Sequence, residues 1–347
     1  MKLGMMLSYA GGFKAAADDA VLLEKAGLDV VWVPEAYSFD AVSQLGYLAA
    51  VTERVQIGSA ILPIYTRTPA LLAMTAAGVD FVSDGRFVLG LGASGPQVIE
   101  GFHGVPYNRP LARTREIVDI CRRVWRREVL TNDGIYRLPL PSEEGTGLGK
   151  ALKLINHPVR PDIPIYLASL SDRNVELTAE VADGWLPMLF IPERAGEVWG
   201  AALAAGTAKR SEALGPMETA VGGMVGFVDD ATEAKAALDL ARPMVALYVG
   251  GMGAKGRNFY NALARRYGFE AEAEAVQDLY LAGEKQKAAE AVPAALLEGS
   301  NLVGPEGYVR ERIAAFAEAG VTTLNVIPIA PDKVKLVEQL RAIVDDL

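Results

Sequence analysis

The sequence is poor in the residues that usually announce a chemistry. It has a single cysteine, so Cys121 cannot form an intramolecular disulfide, and its place in an apolar helical pattern marks it as a small core residue rather than a nucleophile. It has two histidines. His103 and His157 stand in glycine- and proline-rich surroundings with no HExxH or CxxC spacing nearby, so no zinc site is expected. Ser94 lacks the second flanking glycine of a nucleophile elbow, and Glu144 breaks the P-loop pattern ahead of Gly149 and Lys150, which removes two hydrolase signatures. No stretch free of Asp, Glu, Lys and Arg exceeds 13 residues, short of the roughly 20 needed to cross a bilayer. Basic residues are outnumbered 34 to 43, giving a net charge of -9 and a pI near 5.0. A general affinity for nucleic acid or anionic membranes is therefore not expected, and an anionic ligand would need a local basic site. The first residues lack the apolar core and cleavage site of a signal peptide, so a cytoplasmic location is expected.

What the chain has is glycine, 35 residues of it, and apolar residues, 51% of the total over 347 positions. Several segments repeat one pattern, an amphipathic stretch, a glycine and a short β-rich run, with Gly27, Gly85, Gly184 and Gly320 as the expected left-handed stops. The runs are KLGMML from Lys2, LDVVWV from Leu28, VQIGSAIL from Val55, RFVLGLG from Arg86, IPIYLAS from Ile163, WLPMLF from Trp185, TAVGGMVGFV from Thr219 and VTTLNVIPI from Val321. Eight strands alternating with helices predict an α/β fold, a (β/α)8 TIM barrel, although a doubly wound open sheet gives the same local pattern. Ile117, Ile120, Cys121, Val124 and Trp125 share one helical face, leaving Arg122, Arg123, Arg126 and Arg127 on a face expected to be solvated. Such a barrel needs about 250 residues. The remainder is assigned to insertions at about 128–162, after the fourth helix, and about 250–305, before the eighth strand, within a single domain over residues 1–347.

In a barrel, functional residues gather at the C-terminal strand ends. Ser8 and Tyr9, Glu35, Ser59 and Ala60, Gly92 through Gln97, Ser169 and Trp185 all fall there. The run Gly90 to Gly95 matches GxGxxG, but it lies in the fourth unit and Pro96 follows at once. It reads better as a turn whose consecutive N–H groups form an anion nest than as a dinucleotide fingerprint. Glu35 is a candidate proton or hydrogen-bond partner, with a helix cap as the bland alternative. A carboxylate-based hydrolase would need a second acid, for which only Glu100, Asp229 and Asp230 offer themselves. Lys255, Arg257, Arg265 and Arg266 form a basic stretch free of acids, either a solvated helix or a surface that meets an anion near the mouth.

Taken together, GSAIL followed by TRTP, DFVSDGRFVLGLGASGPQV, the PLARTREIVDICRRVW helix and VADGWLP resemble the bacterial luciferase-like superfamily, and most closely its coenzyme F420-dependent, methylenetetrahydromethanopterin reductase-like branch. The resemblance covers nearly the whole chain. It implies a barrel with a deazaflavin ring across the C-terminal mouth, a homodimer, and hydride exchange with a small organic substrate. FMN-dependent monooxygenation is the alternative within the superfamily, and a TIM-barrel hydrolase or a non-catalytic cofactor-binding protein the alternatives outside it. On matching positions Ala60–Ile61 would be a non-prolyl cis peptide beneath the ring, and Glu35 an acid beside it. Gly92, Ala93, Ser94 and Gly95 would form the phosphate-side loop facing Ser169 and Leu170, with Ser8, Tyr9, Ser59, Gln97 and Trp185 completing the cofactor site. Two positions depart from the pattern. Ala36 replaces the histidine that some sugar-phosphate-oxidising relatives carry after the acid, and Ser169-Leu170-Ser171-Asp172 replaces a glycine-rich turn.

Overall fold

Two large side chains decide how the strands pack. Trp32 and Tyr166 meet at a ring-centroid distance of 5.6 Å inside a closed ring of strands, and glycines make room for them. A Cβ on Gly58 would collide with the Trp32 ring, and one on Gly184 with the Tyr166 ring. The computed structural model describes residues 1–8 and 11–347. Its barrel strands are β1 (Lys2–Met6), β2 (Val30–Val33), β3 (Gln56–Ser59), β4 (Phe87–Gly92), β5 (Ile165–Leu167), β6 (Gly184–Trp185), β7 (Glu218–Phe227) and β8 (Thr323–Pro328). Each pairs in parallel with the next, and β8 pairs with both β7 and β1, so the sheet closes into a (β/α)8 barrel. The open sheet that shared the local pattern is excluded.

The barrel interior is layered, as alternation along each strand requires. At the N-terminal end, Lys2 is paired with Glu218 at 3.2 Å. In the middle, the Trp32 indole donates to Asn325 Oδ1 at 2.8 Å and the Tyr166 hydroxyl donates to Glu218. Burial, reinforced by that carboxylate, pushes the Tyr166 pKa well above the usual phenol range and keeps it a neutral donor. Two residues further along six of the strands lie Met6, Pro34, Ala60, Ala168, Leu186 and Ile327, which make the layer at the C-terminal mouth apolar.

All eight expected runs overlap a barrel strand, and Gly27, Gly85 and Gly320 take positive φ as helix stops should. Gly184 does not. It lies inside β6 against Tyr166, and the preceding helix Asp172–Val181 ends at an extended Ala182. The run WLPMLF contributes only Trp185 to a strand. The arginine face is not simply solvated either. Arg122 pairs with Asp183 at 3.0 Å, Arg126 with Asp162 at 2.7 Å, and Arg127 donates to the Leu154 carbonyl at 3.1 Å, so this helix fastens the first insertion to the barrel. Cys121 and its apolar neighbours are buried as expected. The second insertion, before β8, is mostly helical. It forms Phe259–Arg266, Glu270–Leu281, Lys285–Glu290 and Ala294–Ser300, and then a strand, Leu302–Gly304, that pairs with the end of β7. No helix among the described residues is long and apolar enough to cross a membrane.

Candidate active site at the barrel mouth

The loop after β2 is organised by one guanidinium. Arg67 Nη1 and Nη2 donate to the two Glu35 carboxylate oxygens at 2.7 and 2.8 Å, and Nη2 also donates to Asp40. The Ala41 N–H, at the start of helix Ala41–Val51, donates to Glu35 Oε2 at 2.8 Å. Burial opposes the Arg67 charge, yet the bonds to Glu35 and Asp40 outweigh it and raise its pKa. Glu35 therefore sits at the mouth as an ion-paired carboxylate whose two oxygens are already bonded. That geometry suits an anchor better than a general acid. It also weakens the paired-carboxylate hydrolase, since Glu100 accepts from the Tyr107 N–H at 3.0 Å and Asp230 caps helix Ala231–Asp239. Arg67 lies in the TRTP segment, and nothing in the sequence alone assigned it to Glu35.

At β3, Gly58 faces into the barrel, so Ser59 faces outward. Its hydroxyl donates to the Gly90 carbonyl at 2.8 Å and accepts from the Gly90 N–H at 2.9 Å. This fully buried side chain joins β3 to β4, and both of its bonds are made inside the protein. The Ala60–Ile61 peptide is cis, as the resemblance implied. Both residues pack on the Trp32 and Tyr166 cluster from the mouth side.

After β4, a Cβ on Gly92 would sit 3.0 Å from Ile61. Ser94 has φ of 56°, and its carbonyl accepts from the Tyr107 hydroxyl at 3.3 Å. Gly95 caps the short helix Pro96–Gly101 without a side-chain bond. Ala93 is half-buried and Gln97 is exposed. His103, in the same loop, has a buried Nε2 without a partner among the described residues.

The β5 end is held from outside the barrel by two tryptophans. Trp185 Nε1 donates to the Ser169 carbonyl and Trp199 Nε1 to the Leu170 carbonyl, both at 2.9 Å. In a trans peptide the N–H points opposite to the C=O, so the Leu170 and Ser171 N–H groups are turned away from the indoles. Neither N–H, nor those of Asp172 and Arg173 in the first turn of the helix, donates within the described residues. The Ser169 hydroxyl is occupied by Thr178 at 2.8 Å. Trp185 itself is buried in an aromatic cluster with Phe190 and Trp199. Its indole supports the loop from behind through the Ser169 carbonyl. Trp199 is the residue that sequence reasoning missed, for its only signal is an aromatic on the buried face of a helix.

Ser8 is exposed after β1, and Tyr9 lies outside the described residues. In the second insertion, Tyr260 stacks edge-on with Tyr248 at 4.7 Å and its hydroxyl lies 3.8 Å from the sulfur of Met188, just beyond β6, so the insertion reaches the mouth rim. Its charges are largely spent. Lys255 pairs with Asp278, Arg265 with Glu274 at 4.0 Å, and Arg266 with Asp172 at 2.8 Å. Among the described residues, Arg257 is the one cation of the four without an acidic side chain within 4.0 Å.

Residues 1–323 match the luciferase-like monooxygenase family model. The chain is 41% identical over 342 residues to a Mycobacterium tuberculosis protein provisionally named a coenzyme F420-dependent oxidoreductase, covering 96% of this chain and 97% of that one. It is 28% identical to the 5,10-methylenetetrahydromethanopterin reductase of Archaeoglobus fulgidus, over 91% of this chain and 90% of that one. Among solved structures, the coenzyme F420-dependent tetrahydromethanopterin reductase of Methanopyrus kandleri superposes with a TM-score of 0.78 at 20% identity, covering 98% and 96% of the two chains.

Proposed function

The chain belongs to the luciferase-like monooxygenase family, and on that premise we propose that it is a coenzyme F420-dependent oxidoreductase exchanging hydride with a small organic substrate. The observation that carries this reading is the apolar mouth layer of Met6, Ala60, Ala168 and Ile327 bordered by the Leu170 and Ser171 N–H groups, which are turned away from the indoles outside the barrel. These residues fit a cofactor with a flat ring at one end and a phosphate beyond it. When bound, F420 supplies a deazaflavin that carries two electrons as hydride. The mouth layer would seat the ring and keep water from it, and the β5 amides would hold the phosphate, helped by the positive end of helix Asp172–Val181. Ser94 and Gly95 would close the opposite side. Glu35 would hold the loop in place through Arg67 rather than move a proton.

Competing titrations with F420 and FMN test the reading. F420 is expected to bind and to exclude FMN, whereas tight FMN binding without F420 binding would make this a flavin monooxygenase.

The same reading includes a homodimer. Helix Pro69–Val82 has one charged residue, Asp80, which is buried and paired with Arg160, while Leu71, Met74, Phe81 and Val82 are exposed on its outer side. A helix that is apolar on both faces needs cover on both, and a second copy would supply it. Sedimentation should give a dimer for the wild type and a monomer for Met74→Glu at about micromolar concentration.

A further inference from the structure

Tyr37, Phe39 and Phe102 are 64%, 80% and 66% exposed in a chain with only 7% aromatic residues. They are not scattered. Tyr37 and Phe39 lie between β2 and helix Ala41–Val51, and Phe102 directly follows helix Pro96–Gly101 on the β4 side. Because β3 runs between β2 and β4, a contact between these loops passes over the β3 end. Tyr37 and Phe102 make that contact, with ring centroids 6.2 Å apart and planes tilted by 49°.

The loop carrying Tyr37 and Phe39 is clamped at both ends by one side chain, since Arg67 holds Glu35 before it and Asp40 after it. Two rings on a pinned loop are presented at low entropic cost. The clamp leaves this rim with an excess of one negative charge, because the single Arg67 guanidinium serves two carboxylates, Glu35 and Asp40. An anionic substrate is repelled by this excess charge, carried outward by the exposed Asp40 carboxylate, whereas an uncharged apolar body finds exposed rings at the rim and the apolar mouth layer beside them.

We propose that Tyr37, Phe39 and Phe102 form the substrate subsite of this mouth, and that it takes the apolar, ring-bearing body of an uncharged carbonyl compound or of the corresponding alcohol. The inference rests on the oxidoreductase reading for the reaction but not for the binding. A phosphorylated sugar is the substrate class that this rim fits least.

The test uses the full chain as wild type, Tyr37→Ser/Phe102→Ser and Phe102→Leu, with 2-adamantanone and glucose 6-phosphate as probes. Calorimetry gives the affinity of each probe for the protein alone and with saturating F420, and a separate titration gives the F420 affinity. The ketone should bind the wild type at least 10-fold more tightly than the sugar phosphate. The double substitution should weaken ketone binding about 10-fold while F420 affinity and melting temperature hold, and Phe102→Leu should keep most of the ketone affinity. Preferred binding of the sugar phosphate, absent ketone binding, or ketone affinity untouched by the double substitution would each overturn the subsite. A parallel loss of F420 affinity would overturn it too, by making the rings a cofactor wall. If the wild type binds no F420 the oxidoreductase reading fails, and ketone binding to the protein alone still judges the subsite.

Discussion

Replacing Arg67 with Met should destabilise the protein by about 3 kcal/mol, the effect of breaking a nearly buried ion pair from one side. The structure sets this size. The Glu35 and Arg67 side chains are only 8% and 11% exposed, and of the three bonds to the Glu35 carboxylate, Arg67 makes two. Removing it leaves a desolvated charge with one backbone N–H. For a chain of this size the loss corresponds to a fall of about 4 °C in melting temperature. Glu35→Gln keeps the shape but turns an amide NH2 toward a guanidinium, and should cost about 2 kcal/mol. The double variant should cost less than the sum of the two by about 2 kcal/mol, because each single change strands the partner of the other. Denaturant unfolding of the four proteins in the cycle measures the coupling. Additive effects, or single losses below about 0.5 kcal/mol, would refute the anchor role. An intact fold with turnover reduced 10- to 1000-fold in Glu35→Gln would return this residue to acid-base chemistry.

Trp199→Phe removes the indole donor to the Leu170 carbonyl but keeps the ring in its cluster, so it should lower F420 affinity several-fold in a fluorescence titration while costing about 1 kcal/mol in stability. Arg266→Ala unmasks the Asp172 carboxylate beside the β5 amides and should weaken F420 binding more at low salt than at high salt, whereas Lys255→Ala should change neither affinity nor salt dependence. Glu24 is buried, which by itself would raise its pKa, but the N–H groups of Val55, Arg54 and Glu53 that bond its carboxylate prevail and lower it below the ordinary 4.5. The stabilisation is therefore complete above pH 4.5 and is lost as pH falls through the depressed value. Unfolding curves between about pH 3 and 6 should show a shallower acid loss in Glu24→Gln than in the wild type.

The strands were legible because glycine stops and β-rich runs are local signals, and the mouth residues followed once a barrel was inferred. Which side of a strand end a residue occupies was not legible. Ser59 and Trp185 both end strands, yet Gly58 and Gly184 face inward against Trp32 and Tyr166, so alternation turns the serine and the tryptophan outward. Gly184 was misread as a helix stop for the same reason, since a glycine needed for a ring and one needed for positive φ look alike in sequence. The partners of Glu35 and of the Leu170 carbonyl lie 32 and 29 residues away, and the pairing of Arg266 with Asp172 spans still more chain. No local pattern carries such pairings, which is why a basic stretch that looked free is mostly neutralised by acids in neighbouring elements.

In the proposed complex the mouth holds F420, with its ring on the apolar layer and its phosphate on the β5 amides. A crystal structure of the F420 complex tests it most directly. The phosphate should lie within hydrogen-bond distance of the Leu170 and Ser171 N–H groups, with the deazaflavin over Met6, Ala168 and Ile327. A phosphate seated elsewhere, or a cofactor bound away from the C-terminal mouth, would contradict the account.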